Sequence, residues 1–187
     1  MKQLGVKERI IAAASHLFYF DGYNQTGINK ILKEAEVSKD SMYRYFRSKE
    51  DIAVAYLTGR HGMWMGKLEN HVEAEKTNRE KVIATFDYLY EWLTEVEFRG
   101  CGWQNIIPDL PQDHDKIRDQ AVLHKNGVRD WIHNLLIEDE QYSTKTAKEL
   151  GDEIVVLIEG AIILSQIQKE GWPIVAAKRT CVRLLSR

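Results

Sequence analysis

Lys39, Ser41, Tyr43, Arg44, Tyr45 and Lys49 place hydrogen-bond donors at six positions of one short stretch, and three of the six are cations. Such a set suits an anionic, oxygen-rich surface. Ammonium and hydroxyl groups donate to phosphate oxygens, and the planar fork of Arg44 can hold guanine O6 and N7 together. Lys49 stands where a new helix begins, so its charge and the first free amides of that helix favour an anion. Two other uses of these side chains remain open. Arg44 could pair with Asp40 four residues earlier on the same helix, and a ring of Tyr43 or Tyr45 could pack inward while its hydroxyl reaches outward.

These donors need a short helix with one buried side. Met42 and Phe46, four apart, supply that side and leave Lys39, Asp40, Ser41, Tyr43 and Arg44 facing outward. Upstream, Val6, Ile10, Ala13, Leu17 and Phe20 mark one face of a helix that stops at Asp21-Gly22, where glycine can adopt the left-handed closing conformation. Thr26, placed to cap the next helix, precedes Ile28, Ile31, Leu32 and Ala35. A break at Glu36-Val37-Ser38 leads into the donor-bearing helix, and Ser48 with Asp51 has capping-box spacing for a fourth. Three helices with a tight turn between the last two form a helix-turn-helix.

The remainder also reads as helix. One element runs through Tyr56 towards His71, loosened by Gly59, Gly62 and Gly66. A second spans 78–97 around a stripe of Val82, Phe86, Leu89, Leu93 and Val96. Helices resume at 114–138, 144–169 and 173–186, with Pro173 suited to a first turn. The glycines and prolines of RGCGWQNIIPDLPQD, residues 99–113, argue against regular structure there. The expected fold is all-α with about nine helices: a helix-turn-helix domain over 1–48, then a helical effector-binding and dimerisation domain over 49–187.

The segment Ile154–Leu164 is apolar around the whole helix, as expected of one that buries one side in its own domain and the other in a partner. On that reading Val155, Ile158 and Ile162, with Ile174, Cys181, Val182 and Leu185 of the last helix, form a homodimer interface. Trp64, Phe86, Tyr90, Trp103 and Trp131 could wall a pocket for a planar or apolar small molecule, or could be plain core. Glu159 interrupts the apolar helix and either meets a cationic ligand or pairs with Lys or Arg.

Composition limits the alternatives. The 187 residues are 44% hydrophobic and 29% charged, the balance of a globular chain. Net charge is −2, but the first fifty residues hold nine Lys/Arg against six Asp/Glu and the rest seventeen against twenty-two, so the mildly basic end is the one that faces phosphate. No apolar run approaches the roughly 20 residues of a membrane span, and the start MKQLGVKERI lacks a signal peptide's apolar core, which makes a cytoplasmic location the expectation. Cys101 and Cys181, far apart and without CxxC spacing, read as reduced thiols. No nucleophile elbow, phosphate loop or metal set is visible, nor any partner spacing around His61, His71, His124 or His133. No enzyme activity, cofactor or metal is expected.

The stretch Thr26-Gly27-Ile28-Asn29-Lys30-Ile31 through Val37-Ser38, then Ser41-Met42-Tyr43-Arg44-Tyr45-Phe46-Arg47-Ser48-Lys49-Glu50, resembles the signature of the tetracycline-repressor (TetR) family of bacterial regulators. The resemblance runs from Arg9 to Ala53. It implies a dimer that represses transcription from double-stranded palindromic operator DNA and lets go when a small molecule enters the carboxy-terminal domain. It also implies DNA contacts at Thr26, Asn29, Lys39, Ser41, Tyr43, Arg44, Tyr45 and Lys49. The family commonly has glycine where Glu36 and Asp40 stand. A left-handed Glu36 costs about 1 kcal/mol, while Asp40 either accepts from a cytosine amino group or restrains Arg44. The alternative is a helical small-molecule-binding or interaction protein without gene-regulatory activity, which would need no exposed Lys39–Arg44–Lys49 face.

Overall fold

The computed structural model describes residues 4–112 and 114–186. Among them lie nine α-helices and no strand: α1 Val6–Phe20, α2 Ile28–Glu34, α3 Lys39–Tyr43, α4 Lys49–Val72, α5 Asn78–Glu95, α6 Gly102–Ile106, α7 Asp115–Ile137, α8 Thr144–Gln168 and α9 Trp172–Leu185. No helix is long and apolar enough to cross a membrane among the described residues. The chain forms two compact units. The first reaches to Gly62 and takes in Cys101–His124; the second comprises Met63–Gly100 and the chain from Lys125 onward.

In the first unit, α1 buries Ile10, Ala13, Leu17, Phe18 and Tyr19 and packs on α2 and α3; Ile31 and Leu32 of α2, Met42 and Phe46 around α3, and Ile52, Ala53 and Leu57 of α4 are buried in the same unit. Phe20 does not join this stripe. It is half exposed, because Phe18 and Tyr19 take the inward positions at the end of α1. The helix closes at Asp21, and Gly22 follows with φ +93°. Thr26 is not the cap of α2. Gly27 occupies that position, and the buried Thr26 hydroxyl turns back to donate to the Gly22 carbonyl at 2.8 Å, fixing the α1–α2 turn.

The turn into α3 is a Schellman closure: Val37 N donates to Leu32 O at 3.0 Å and Glu36 N to Lys33 O at 3.2 Å. It requires a left-handed residue, and Glu36 accepts φ +54° without being glycine. Asp40 lies within α3 and needs no such freedom. Ser48 Oγ accepts from Asp51 N at 3.0 Å to start α4, while Asp51 Oδ2 accepts from Arg47 N at 3.2 Å, so the box is closed one residue early. The segment expected to be irregular contains α6 and a 3-10 turn, Ile107–Asp109, with Pro108 in its first turn. Asp113, at its end, lies outside the described residues. α4 runs unbroken over its glycines, and nothing lies within 4 Å of a Cβ built at Gly59, Gly62 or Gly66.

In the second unit, Val82, Phe86, Leu89 and Leu93 of α5 pack with Ile154, Ile158, Ala161 and Ile162 of α8 and with Ile174, Ala177, Cys181 and Leu185 of α9. Val96 is half exposed at the end of α5. Lys178 bridges both Asp87 carboxylate oxygens at 2.6 Å, and Tyr142 Oη donates to Leu185 O at 2.8 Å. Both cysteines are buried, and burial pushes the Cys181 thiol up to about 12.

Five of the seven residues expected at a homodimer interface lie in this packing. Ile158, Ile162, Ile174, Cys181 and Leu185 are spent on the core of their own chain. Val155 is half-buried, and Val182 alone of the seven is classed as exposed. The apolar surface of α8 is its opposite face, with Val156 and Ile167 each 71% exposed and Ile163 and Leu164 open beside them. Val175 and Val182 are the exposed apolar residues of α9 behind its first turn.

Candidate nucleic-acid interface

Ser38 sets the start of α3. Its Oγ accepts from Ser41 N at 3.2 Å and donates to Ser41 Oγ at 2.9 Å, so the Ser41 hydroxyl is half-buried and already engaged. From that cap, helical geometry sends Met42 inward to complete burial, and Phe46, whose N donates to Met42 O at 2.9 Å, follows it. The helix proper ends at Tyr43. Arg44 and Tyr45 occupy the turn beyond, Arg44 still with helical angles, φ −70° and ψ −24°.

The polar side chains then have one direction left. Lys39, Asp40, Arg44 and Arg47 are exposed, and Tyr43 and Tyr45 are 48% and 51% exposed, so neither ring is a core residue. Arg44 forms no ion pair with Asp40 among the described residues, which leaves its fork available. Asn29 is exposed in the first turn of α2. Arg47, not singled out from sequence, adds a cation to the same surface. Its position between Phe46 and the Ser48 cap was the available signal.

Two expected contacts sit differently. Thr26 has no exposed surface, so its side chain shapes the turn instead of facing outward. Lys49 is half-buried, its Nζ donating to Tyr23 O at 3.0 Å and lying 4.0 Å from the centre of the Tyr23 ring. Desolvation there lowers its pKa. Its charge is drawn towards Tyr23, whose hydroxyl is itself bonded to His114 Nδ1 at 3.0 Å. Asp51 holds the start of α4 from the other side: the Lys116 ammonium, 3.0 Å away, keeps its carboxyl below the usual range.

The six aromatic and acidic residues considered for a ligand are divided between the two units. Trp103 belongs to the first unit and stacks flat on His124 at 3.5 Å. In the second unit Trp64 packs edge-on against Tyr88 and Trp92, and Phe86 is core. Tyr90 lies half exposed against the backbone of Gly171. Glu159 holds Lys125 through both oxygens, at 2.7 and 2.6 Å. Trp131 alone borders a described cavity, about 270 Å³, with Glu69, Val72, Lys81 and Leu135. The histidines, unremarkable in sequence, have distant partners: His61 Nδ1 meets His124 Nδ1 at 2.9 Å, and His133 Nε2 meets Asp152 Oδ1 at 2.8 Å.

Residues 10–56 match the family model for bacterial regulatory proteins of the tetR family, and residues 79–180 match that for the carboxy-terminal domain of LmrA/YxaF-like transcriptional regulators. The chain is 24% identical to the HTH-type transcriptional regulator LmrA of Bacillus subtilis over 97% of both chains. It is 25% identical to YxaF of the same organism over 90% of this chain and 88% of that one. It is 33% identical to QacR of Staphylococcus aureus over 60% of this chain and 57% of that protein. Among solved structures, a TetR-family regulator from Streptomyces coelicolor superposes with a TM-score of 0.86 at 20% identity, covering 97% of this chain and 88% of that one. One from Legionella pneumophila gives 0.79 at 23% identity over 98% of both. With both models matched in order along an all-helical fold, the chain belongs to the TetR family: it is a transcription regulator with a DNA-binding helix-turn-helix, and not an enzyme.

Proposed function

We propose that this regulator is a cytoplasmic homodimeric repressor that leaves a palindromic operator when it binds a small molecule. The observation that carries the DNA half is the division of α3: Met42 and Phe46 inward, Lys39, Tyr43, Arg44 and Tyr45 outward and without a competing ion pair for Arg44. In the docked complex α3 of each copy enters one of two successive major grooves on the same face of the duplex. Arg44 reads a base edge; Lys39, Tyr43, Tyr45, Asn29 and Arg47 hold phosphates. Ser41 and Lys49 contribute by rotating away from Ser38 and Tyr23, and Thr26 by holding the α1–α2 turn.

The dimer half rests on the outer face of α8 and α9, where Val156, Ile163, Ile167, Val175 and Val182 form exposed apolar surface of a kind that monomers rarely keep. Two copies placed face to face would bury it. Selection of duplexes from a random pool tests the reading as a whole. The expected product is a palindrome with two half-sites; a pool that shows no enrichment rejects the repressor.

A further inference from the structure

The first unit also holds buried donors that the protein itself does not satisfy. Tyr56 Oη, Arg60 Nε and Trp103 Nε1 are each buried with no hydrogen-bond partner. Tyr56 Oη and Arg60 Nε are neighbours, and the Trp103 ring lies near them. A Cβ built at Gly102 would stand 2.8 Å from Tyr56 Oη and 3.1 Å from Arg60 Nε, and the Arg60 guanidinium carbon lies 5.9 Å from the centre of the Trp103 ring. The same carbon is 4.2 Å above the ring of Tyr19 on α1. No carboxylate pairs with Arg60 among the described residues.

Folded proteins leave few buried polar atoms unmatched, and each one calls for a partner such as a water, an ion or a ligand. Here the chemistry of that partner is constrained. Arginine Nε–H and indole Nε1–H can only donate. Tyr56, pushed up to about 12 chiefly by burial and drawn back in part by the Arg60 guanidinium beside its oxygen, keeps its proton over the physiological range and still has that proton to donate. Three donors and one uncompensated cation among aromatic rings complement a monovalent acceptor, and a guanidinium matches the planar fork of a carboxylate best. Gly102 keeps this spot free of a side chain from α6, which would collide with two of the donors.

We propose that Tyr56, Arg60 and Trp103 form a binding site for a small organic carboxylate. This deepens the effector half of the function proposed above and rests on it for regulatory meaning. Through Tyr19, the same guanidinium touches a helix of the DNA-binding module, so occupancy of the site bears directly on α1.

Calorimetric titration of the full chain without DNA, using acetate, benzoate and the neutral isostere benzamide, tests the site. The expected result is one carboxylate per chain and no heat from benzamide. Arg60→Gln should weaken binding about tenfold or more, the loss of a hydrogen bond to a charged group. Tyr56→Phe should weaken it severalfold while melting no lower than the parent, because it deletes an unmatched buried hydroxyl. That variant guards against a mere folding defect. Absence of binding by both carboxylates, equal binding of benzamide, or affinity unchanged in both variants overturns the proposal. Duplex selection is run separately on ligand-free protein. A palindrome without carboxylate binding sinks this site alone, and carboxylate binding without a palindrome sinks the repressor reading alone.

Discussion

Helices α3 and α8 both leave large side chains open to water, but of opposite character. Around α3 the exposed residues are Lys39, Asp40, Tyr43, Arg44 and Tyr45, polar at their tips; along α8 they include Val156, Ile163, Leu164 and Ile167, wholly apolar. Exposure of the first kind is stable in water and gains from a polyanion that releases its counterions on binding. Exposure of the second kind costs free energy until another apolar surface covers it. The contrast teaches that a buried face fixes how a helix folds, while the opposite face indicates what kind of surface it meets.

The largest effect is expected on α8. Val156→Glu together with Ile167→Glu puts two carboxylates into the proposed dimer contact, a desolvation penalty of several kcal/mol. Light scattering should find a monomer whose helical content is intact, and operator binding should be lost. A dimer surviving both changes would assign that face elsewhere. Ile158→Ala, on the inner face of the same helix, should instead lower unfolding stability by about 2–5 kcal/mol, as a core truncation does. Urea denaturation separates the two faces: the outer pair should cost the isolated chain little.

A smaller change concerns how α3 is positioned. Glu36→Gly removes the left-handed strain at φ +54° and should raise stability by up to about 1 kcal/mol, with operator affinity nearly unchanged. The smallest involves acid. The Arg129 guanidinium, with further help from His133, holds the Asp152 carboxyl down to about 2. A depressed carboxylate contributes stability above its unfolded value of about 3.9, and that contribution is lost as pH falls towards 2. Asp152→Asn should therefore flatten the urea midpoint between about pH 4 and pH 2 and leave it steeper nowhere else; the pair is half exposed, so the change is slight.

How much of this was legible in the sequence depended on range and on contrast. Met42 and Phe46 stood out because they are the large apolar residues of a polar segment, and a single turn of helix relates them. The left-handed Glu36 was suggested by the resemblance, since the family commonly has glycine at that position. On α8 the sequence offers no such contrast, since a helix apolar all round carries no phase: Ile158 and Val156 look alike in sequence, and only packing with α5 and α9 sends one in and one out. Thr26 was misread because capping rules weigh a hydroxyl before a helix without seeing the α1 carbonyls behind it. Lys49 with Tyr23, His61 with His124, and Trp103 with the Tyr56–Arg60 pair join residues too distant in sequence for any local pattern.

The central claim is that the outer side of α3 reads DNA, and Arg44 tests it most directly. Its partner is found by measuring the affinity of parent and Arg44→Ala proteins for the selected palindrome and for every single base-pair change within one half-site. The account predicts a loss of about 1–3 kcal/mol with Arg44→Ala, together with loss of discrimination at one base pair and retained discrimination at the others. Unchanged affinity and an unchanged pattern across all positions would contradict it.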